Sequence, residues 1–245
     1  MSDWPYPRWI AHRGAGKLAP ENTLAAFKLG ASHGYRMFEC DVKLSADEVL
    51  FLLHDATLER TSNGVGEARS MGWKTLSGLD AGAWHSAAFA GEPLAKFETI
   101  ARYCLDEGYF LNIEIKPTPG LEALTGSAVA NSAAVLWKDA TTPPLLSSFQ
   151  PASLQAAKLA QPQLPRGLLL DTLTPDWLET AQALGCVAVI FNYRLWDENT
   201  VKLAKQAGLR TLSYTVNDEV SAQKLIELGT DGIITDRVEL FKPVH

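Results

Sequence analysis

The feature that most constrains this chain is a rhythm in which short apolar runs alternate with helical stretches, and glycines stop the helices, from Trp9 to Ile234. Trp9, Ile10 and Ala11 form the first run, which breaks at Gly14 and Gly16; LAAFKLGASHG then carries Leu24, Phe27 and Ala31 at helical spacing and stops at Gly34. Further apolar runs lie at Tyr35–Val42, Val49–Leu53, Tyr109–Lys116, Leu145–Phe149, Gly167–Leu170, Val187–Phe191, Arg210–Val216 and Gly232–Ile234. Helices are predicted between them over 97–107, within 121–138, and over 152–160, 175–184, 199–207 and 219–228. Short buried strands separated by helices predict a parallel sheet covered by helices.

The strand count decides between an open sheet and a closed one. The runs number one more than an eight-stranded barrel needs. The link from Lys43 to Val49, however, is far shorter than the dozen or so residues of a parallel crossover. Val49–Leu53 must therefore fold back as a hairpin arm, leaving eight parallel strands. Eight such units in 245 residues predict an α/β fold, one TIM (β/α)8 barrel domain over 1–245. Between Asp55 and Phe97 about forty residues pass without a clear buried strand, which predicts a small inserted subdomain over about 56–96, after the second barrel strand.

Within that frame the stretch Phe38–Asp55 is chemically unusual. Glu39 and Asp41 stand two apart on a strand and so share a face, with Cys40 pointing the other way into packing. Neighbouring carboxylates repel and call for water or a hard, oxygen-loving cation such as Mg²⁺ or Ca²⁺. Glu114 and Lys116 share a face in the same way, with Asn112 one step deeper. Strand ends of a barrel collect His12, Arg13, Glu39, Asp41, His54, Glu114, Lys116, Phe149, Asn192, Tyr193, Tyr214 and Asn217. Three converging carboxylates beside Arg13 and Lys116 describe a metal ion and an anion it helps to hold. A tight turn over Ser45–Glu48 would bring His54 back alongside Glu39, so that His12 and His54 flank one site as a general acid and base. Phosphodiester cleavage uses such a pair, with cations offsetting charge on the phosphoryl oxygens.

Each residue alone also has a plainer reading. Glu-x-Asp on a strand is commonly a solvated or salt-bridged edge, Glu-x-Lys an ion pair, and a single histidine a satisfied core residue. Trp84 and Phe89 either form the small core of the 56–96 segment or contact a substrate. His33, His85 and His245 read as surface residues. That the charged residues fall at one end of the strands is what separate plain readings do not predict.

Net charge and cysteine usage narrow the class. A formal charge of -6 without a Lys/Arg block argues against nucleic-acid or anionic-membrane partners. The scattered Cys40, Cys104 and Cys186 suit a reducing compartment. The opening MSDWPYPRWIAHRG has no secretory pattern, and the longest apolar run, Cys186–Phe191, is far too short to span a membrane. A cytoplasmic protein with a small-molecule substrate, no nucleic acid and no stable membrane association is expected; the oligomeric state is left open.

The motifs, taken together, resemble the glycerophosphodiester phosphodiesterase family. They are His12-Arg13-Gly14, Pro20-Glu21-Asn22-Thr23, Glu39-x-Asp41-Val42 and His54-Asp55-x-Thr57-Leu58-x-Arg60-Thr61-x-x-Gly64. They continue through Leu79-Asp80-Ala81-Gly82, Phe89-Ala90-Gly91-Glu92, Asn112-Ile113-Glu114-Ile115-Lys116, Ser147-Ser148-Phe149, Tyr214-Thr215-Val216-Asn217 and Asp231-Gly232-Ile233-Ile234-Thr235-Asp236. The resemblance implies a TIM barrel with an inserted subdomain and hydrolysis of glycerophosphodiesters, such as glycerophosphocholine or glycerophosphoethanolamine, to sn-glycerol 3-phosphate and an alcohol. By the same resemblance, Glu39, Asp41 and Glu114 are the ligands of one divalent metal ion, Mg²⁺ or Ca²⁺. His12 and His54 are the acid/base pair, and Arg13 and Lys116 bind phosphate. Trp84, Phe89, Phe149 and Tyr214 are the aromatic candidates for substrate contact; Tyr214 stands where the family often has Trp. The alternatives are a barrel phosphodiesterase of phospholipase C or D type, and a non-catalytic glycerophosphodiester-binding protein on the same fold.

Overall fold

The computed structural model describes residues 4–243. Its strands are β1 (Trp9–Ala11), β2 (Met37–Leu44), β3 (Leu50–Leu52), β4 (Phe110–Ile115), β5 (Leu145–Ser148), β6 (Arg166–Leu170), β7 (Ala188–Asn192), β8 (Arg210–Tyr214) and β9 (Gly232–Thr235). Eight of them pair in parallel around a closed ring, β1-β2-β4-β5-β6-β7-β8-β9 and back to β1. The expected barrel is therefore present.

β3 is the hairpin arm, antiparallel to β2 through Val42↔Leu52, Lys43↔Phe51 and Leu44↔Leu50. Its turn closes where Ser45 N donates to Val49 O at 3.0 Å and Val49 N donates to Ser45 Oγ at 2.9 Å. Glu48 takes the left-handed conformation, φ 60, that so short a return demands.

The helices are α1 (Leu24–Ser32), α2 (Trp73–Leu76), α3 (Phe97–Asp106), α4 (Glu122–Leu136), α5 (Pro151–Ala160), α6 (Trp177–Ala183), α7 (Glu198–Gln206) and α8 (Glu219–Glu227). Thr23, Asp197 and Asp218 cap α1, α7 and α8 by accepting from backbone amides three residues on. No helix among the described residues is long and apolar enough to cross a membrane.

The strand alternation sorts side chains into two environments. All eight residues of β2 are buried. Phe38, Cys40 and Val42 pack outward in one cluster with Phe27, Phe97 and Ile100. On the other face Met37 joins Ile10, Leu145, Leu169, Ile190, Leu212 and Ile234 in the barrel interior. Glu39 and Asp41 follow Met37 on that inward face, so the interior is apolar toward the strand N-termini and becomes charged toward their C-termini.

Between β3 and α3 the chain has only α2 and two short 3₁₀ turns, Ala68–Ser70 and Ala87–Phe89. Phe51, Leu53, Leu58, Ala68, Leu76, Ala81 and Leu94 form its apolar cluster. Trp84 and Phe89 are not in it, so the packing reading of these two residues is corrected. Trp84 is 40% exposed and donates from Nε1 to Ala81 O at 2.8 Å, while Phe89 packs on the barrel cluster. The leucines fill the space the aromatics were expected to take. His85 is half-buried rather than a free surface residue, with a ring nitrogen 3.0 Å from Lys17 O; His245 lies outside the described residues.

Candidate active site

The C-terminal mouth of the barrel assembles the site from the first three parallel strands and the hairpin. His12 continues the β1–β9 ladder, its N–H donating to Thr235 O at 3.0 Å. The chain then bends sharply, with Arg13 at φ 50 and Gly16 at φ 56. A Cβ on Gly16 would stand 2.1 Å from Asp236 O, so only glycine lets this loop lie against the end of β9. That contact places Asp236 beside His12. Asp236 Oδ1 lies 2.6 Å from His12 Nδ1, and Asn217 Nδ2 donates to Asp236 Oδ2 at 2.8 Å.

Glu39 and Asp41 project inward from β2 and Glu114 from β4, whose register sets Asp41 opposite Glu114 and Glu39 opposite Asn112. One oxygen from each of Glu39, Asp41 and Glu114 lies within 4.8 Å of the other two. Among the described residues this is the one His, Cys and carboxylate group close enough to hold a metal ion. The hairpin extends past β3, Leu53 N donating to Asp41 O at 3.1 Å, and so returns His54 to the Glu39–Asp41 segment. His54 Nδ1 is 2.7 Å from Asp55 Oδ1.

Cations surround the carboxylates. Lys116 Nζ donates to Glu114 Oε1 at 2.8 Å and lies 4.0 Å from Asp41 Oδ1. Arg13 donates from Nη1 to Glu21 Oε1 at 2.8 Å, its Nε lies 3.2 Å from Asp41 Oδ2 off hydrogen-bond alignment, and its backbone N–H donates to Glu39 Oε2 at 3.1 Å. Asn22 Nδ2 donates to Asp41 Oδ2 at 2.9 Å, and Lys43 Nζ to Lys116 O at 3.2 Å. Arg60 clamps Glu21 and Asp55 together, at 2.8 Å and 2.6 Å.

The environments separate the three carboxyls. Burial and the neighbouring Asp41 and Glu114 charges push Glu39 well above the usual carboxylate range. Burial and Asp41 push Glu114 up to about 7, against the pull of Lys116. Burial acts on Asp41 too, but Arg13, His54, Lys116 and Asn22 outweigh it and hold it at about 2. His54 is lowered by burial and by the nearby Arg13 and Lys116 charges. Asp236, though buried, is held at about 2 by His12. Because Asp236 and Asp55 are both acceptor-only carboxylates, each histidine carries its Nδ1 proton toward its own carboxylate and presents Nε2 elsewhere.

The donor set suits a hard cation. All three candidate ligands are carboxylates, and two of them resist ionising without a positive charge between them. Glu39 Oε1 is buried with no hydrogen-bond partner, as are both amide atoms of Asn112 and Ser147 Oγ. Leaving such an atom unpaired costs about 1–3 kcal/mol, and native chains carry few of them.

Two cavities meet at His12 and Arg13. The first, about 160 Å³, is lined by His12, Arg13, Glu39, His54, Asn112, Glu114, Lys116, Phe149, Leu169, Tyr214, Thr215 and Ile234. Phe149 and Tyr214 meet edge to face there at 5.6 Å, and Lys116 Nζ sits 5.4 Å from the Phe149 ring centroid. The second, about 330 Å³, lies on the other side of His12 between Lys17, Glu21, Arg60, Trp84, His85 and Asp236. Phe89 lines neither; its ring backs His85 at 5.4 Å. Of the chosen strand-end residues, His12, Arg13, Glu39, Asp41, His54, Glu114, Lys116, Phe149 and Tyr214 thus converge, whereas Asn192 and Tyr193 line neither cavity and Asn217 serves Asp236; the sequence left Asp236, Asp55, Glu21, Arg60 and Asn22 without roles. Asp236 directly follows β9 and obeys the same strand-end rule as His12; Asp55 adjoins His54. Glu21 and Arg60 stand inside the quoted motifs Pro20–Thr23 and His54–Gly64, but nothing in their spacing marks a role.

A model of the Glycerophosphoryl diester phosphodiesterase family matches residues 12–240. A glycerophosphodiester phosphodiesterase of Caldanaerobacter subterraneus is 32% identical over 235 residues, 94% of each chain. The structure of an Oleispira antarctica phosphodiesterase in complex with the product sn-glycerol-3-phosphate superposes with a TM-score of 0.90 at 33% identity, covering 96% of this chain and 95% of that one. A glycerophosphodiester phosphodiesterase from Agrobacterium tumefaciens aligns with a TM-score of 0.79 at 26% identity, over 97% of this chain and 100% of its own.

Proposed function

The chain belongs to the glycerophosphoryl diester phosphodiesterase family, and from that premise we propose that it hydrolyses glycerophosphodiesters, glycerophosphocholine and glycerophosphoethanolamine among them, to sn-glycerol 3-phosphate and the free alcohol. The observation that carries this reading is a pair of carboxylate-backed histidines, His12–Asp236 and His54–Asp55, set around the Glu39, Asp41 and Glu114 cluster. That the Oleispira relative holds sn-glycerol-3-phosphate as product supports the direction of cleavage.

Glu39, Asp41 and Glu114 would hold one hard divalent cation, Mg²⁺ or Ca²⁺. Bound there, it supplies Lewis-acid polarisation of the phosphoryl group and offsets its charge. Arg13 and Lys116, at the rim of the same cavity, bind the phosphate oxygens. His54, kept neutral at pH 7 by its lowered pKa, takes the proton from the attacking hydroxyl, that of water or of the glycerol 2-position. A new P–O bond forms as the ester P–O bond to the alcohol breaks; where the glycerol 2-hydroxyl attacks, the cyclic phosphate so formed is opened by water in a second step, its P–O bond to the 2-oxygen breaking to give sn-glycerol 3-phosphate. His12 delivers a proton from Nε2 to the departing alcohol oxygen, and Asp236 steadies its ring through Nδ1. His12 suits the acid role because its ring borders both cavities, so the alcohol leaves toward Trp84 and His85 while glycerol phosphate remains beside Phe149 and Tyr214. The 56–96 segment, as an inserted subdomain, forms the outer wall of that second cavity. A cytoplasmic setting fits the three free cysteines.

The test is release of sn-glycerol 3-phosphate and of alcohol from a panel of glycerophosphodiesters, with Mg²⁺, with Ca²⁺ and with chelator. His12→Ala and His54→Ala should each lose about 10²–10⁴-fold in kcat. Near wild-type turnover in either variant, or unchanged turnover in excess chelator, would overturn the mechanism.

A further inference from the structure

The floor of the first cavity holds a polar group that the reaction above leaves unused. Asn112 is 1% exposed and lines the cavity, yet neither Oδ1 nor Nδ2 has a hydrogen-bond partner. It lies two residues below Glu114 on β4, on the same inward face and opposite Glu39 in register. Glu39 stands beside it on β2, and the apolar lining of the cavity includes Leu169 and Ile234. An amide offers both a donor and an acceptor in one plane. Its natural complement is a ligand presenting both at neighbouring atoms, and two vicinal hydroxyl groups do so. A phosphodiester offers acceptors alone, and the cationic Arg13 and Lys116 that line the same cavity meet that need. Carbon backbone against Leu169 and Ile234, hydroxyls on Asn112 and phosphate at the rim together describe a short polyol phosphate entering polyol first.

We propose that Asn112 is the specificity-determining residue for the polyol half of the substrate, its amide reading the vicinal diol of the glycerol moiety. This rests on the glycerophosphodiester reading above and extends it to the side of the phosphate that stays bound. It also explains why an amide in register with Glu39 and lining the same cavity as Leu169 and Ile234 has no partner in the chain.

Binding of three phosphate monoesters by calorimetry tests the idea without depending on which hydroxyl attacks phosphorus. The ligands are sn-glycerol 3-phosphate, propane-1,3-diol phosphate and propane-1,2-diol phosphate, each with Mg²⁺ or Ca²⁺ present. Wild type should prefer the glycerol compound over either deoxy compound by about 10–100-fold, the effect of one to two hydrogen bonds. In Asn112→Ala and Asn112→Leu that ratio should fall to near unity. Asn112→Leu should also raise the thermal midpoint, since it replaces an unpaired buried amide with a side chain suited to Leu169 and Ile234. An absent preference in wild type, a preserved ratio in the variants, or an equal loss for all three ligands would overturn the assignment; the last would mark Asn112 as a support for the cation cluster. A wild type that binds glycerol phosphate with the expected preference but cleaves no glycerophosphodiester would overturn the functional reading alone.

Discussion

The two halves of the barrel mouth do opposite work. From β1 to β4 it is charged: His12, Arg13, Glu39, Asp41, His54, Glu114 and Lys116 all come from this side. From β5 to β9 the cavity wall is Phe149, Leu169, Tyr214, Thr215 and Ile234. The charged side gathers the ionisable groups, among them three carboxylates close enough to hold a cation; the apolar side sets shape. The comparison teaches that substitutions on the first should act on turnover, pH dependence and cation response, and those on the second on substrate fit.

The sharpest challenge to that division is Glu114→Gln. It replaces one carboxylate of the cluster by a neutral amide and removes the charge that pairs with Lys116, and it should lower kcat by about 10³-fold or more and weaken the response of activity to added Mg²⁺ or Ca²⁺. Wild-type turnover with an unaltered cation titration would break the comparison at its strongest point. Next in size is Asp236→Asn, which keeps the shape but lets His12 adopt the other tautomer; kcat should fall on the order of 10²-fold with KM little changed. A purely structural role for Asp236 would instead lower thermal stability and move KM.

The charged half should also declare itself in the stability of the chelator-treated protein. The Glu114 carboxyl sits at about 7 in the folded chain and at the model-peptide value of 4.5 when unfolded. Its contribution is fully present below 4.5 and is lost as pH rises through about 7. That amounts to roughly 3 kcal/mol at most, and Glu39 shifts in the same direction. Asp41 does not oppose this, because its stabilisation is present above 3.8 and is lost only as pH falls through about 2; His54, lowered in the folded chain, gains stability as pH rises through 6.5 and offsets part of the drop. The melting temperature should therefore drop about 5–10 °C between pH 5 and pH 8, and saturating cation should remove most of the drop. A melting temperature that rises over this range would contradict the raised carboxyls. The smallest effect belongs to the other half: Tyr214→Phe removes a hydroxyl 3.4 Å from Asp171 Oδ1 and should change KM about 2–5-fold while leaving the pH profile in place. A loss comparable to that of Asp236→Asn would show that the wall takes part in the chemistry.

The fold was legible because one physical limit is strict. A link as short as Lys43 to Val49 cannot carry a parallel crossover, and the observed β2–β3 hairpin is the result. The carboxylate cluster was legible because period-two alternation needs no knowledge of tertiary structure: Glu39 with Asp41, and Glu114 with Lys116, had to share faces. What was hidden depends on contacts distant in sequence. Asp236 meets His12 only because β9 pairs with β1, and Arg60 reaches Glu21 from within the segment after β3. Trp84 and Phe89 misled for a related reason. Aromatic residues in a long excursion look like its core, but Leu58, Leu76 and Leu94 fill that role and leave Trp84 beside the second cavity.

Closure of the ring between β1 and β9 has a consequence in time. During synthesis the acidic cluster of Glu39, Asp41 and Glu114 is encoded by the first half of the chain. The partner of His12, by contrast, lies just past the last strand to be made. Domains form largely as units while the chain lengthens, and His12 in particular cannot meet Asp236 until β9 docks. Ribosome-bound chains stopped before Gly232 should accordingly release no glycerol phosphate, and activity should switch on with barrel closure. A hydrolase assembled in this order stays silent until it is whole.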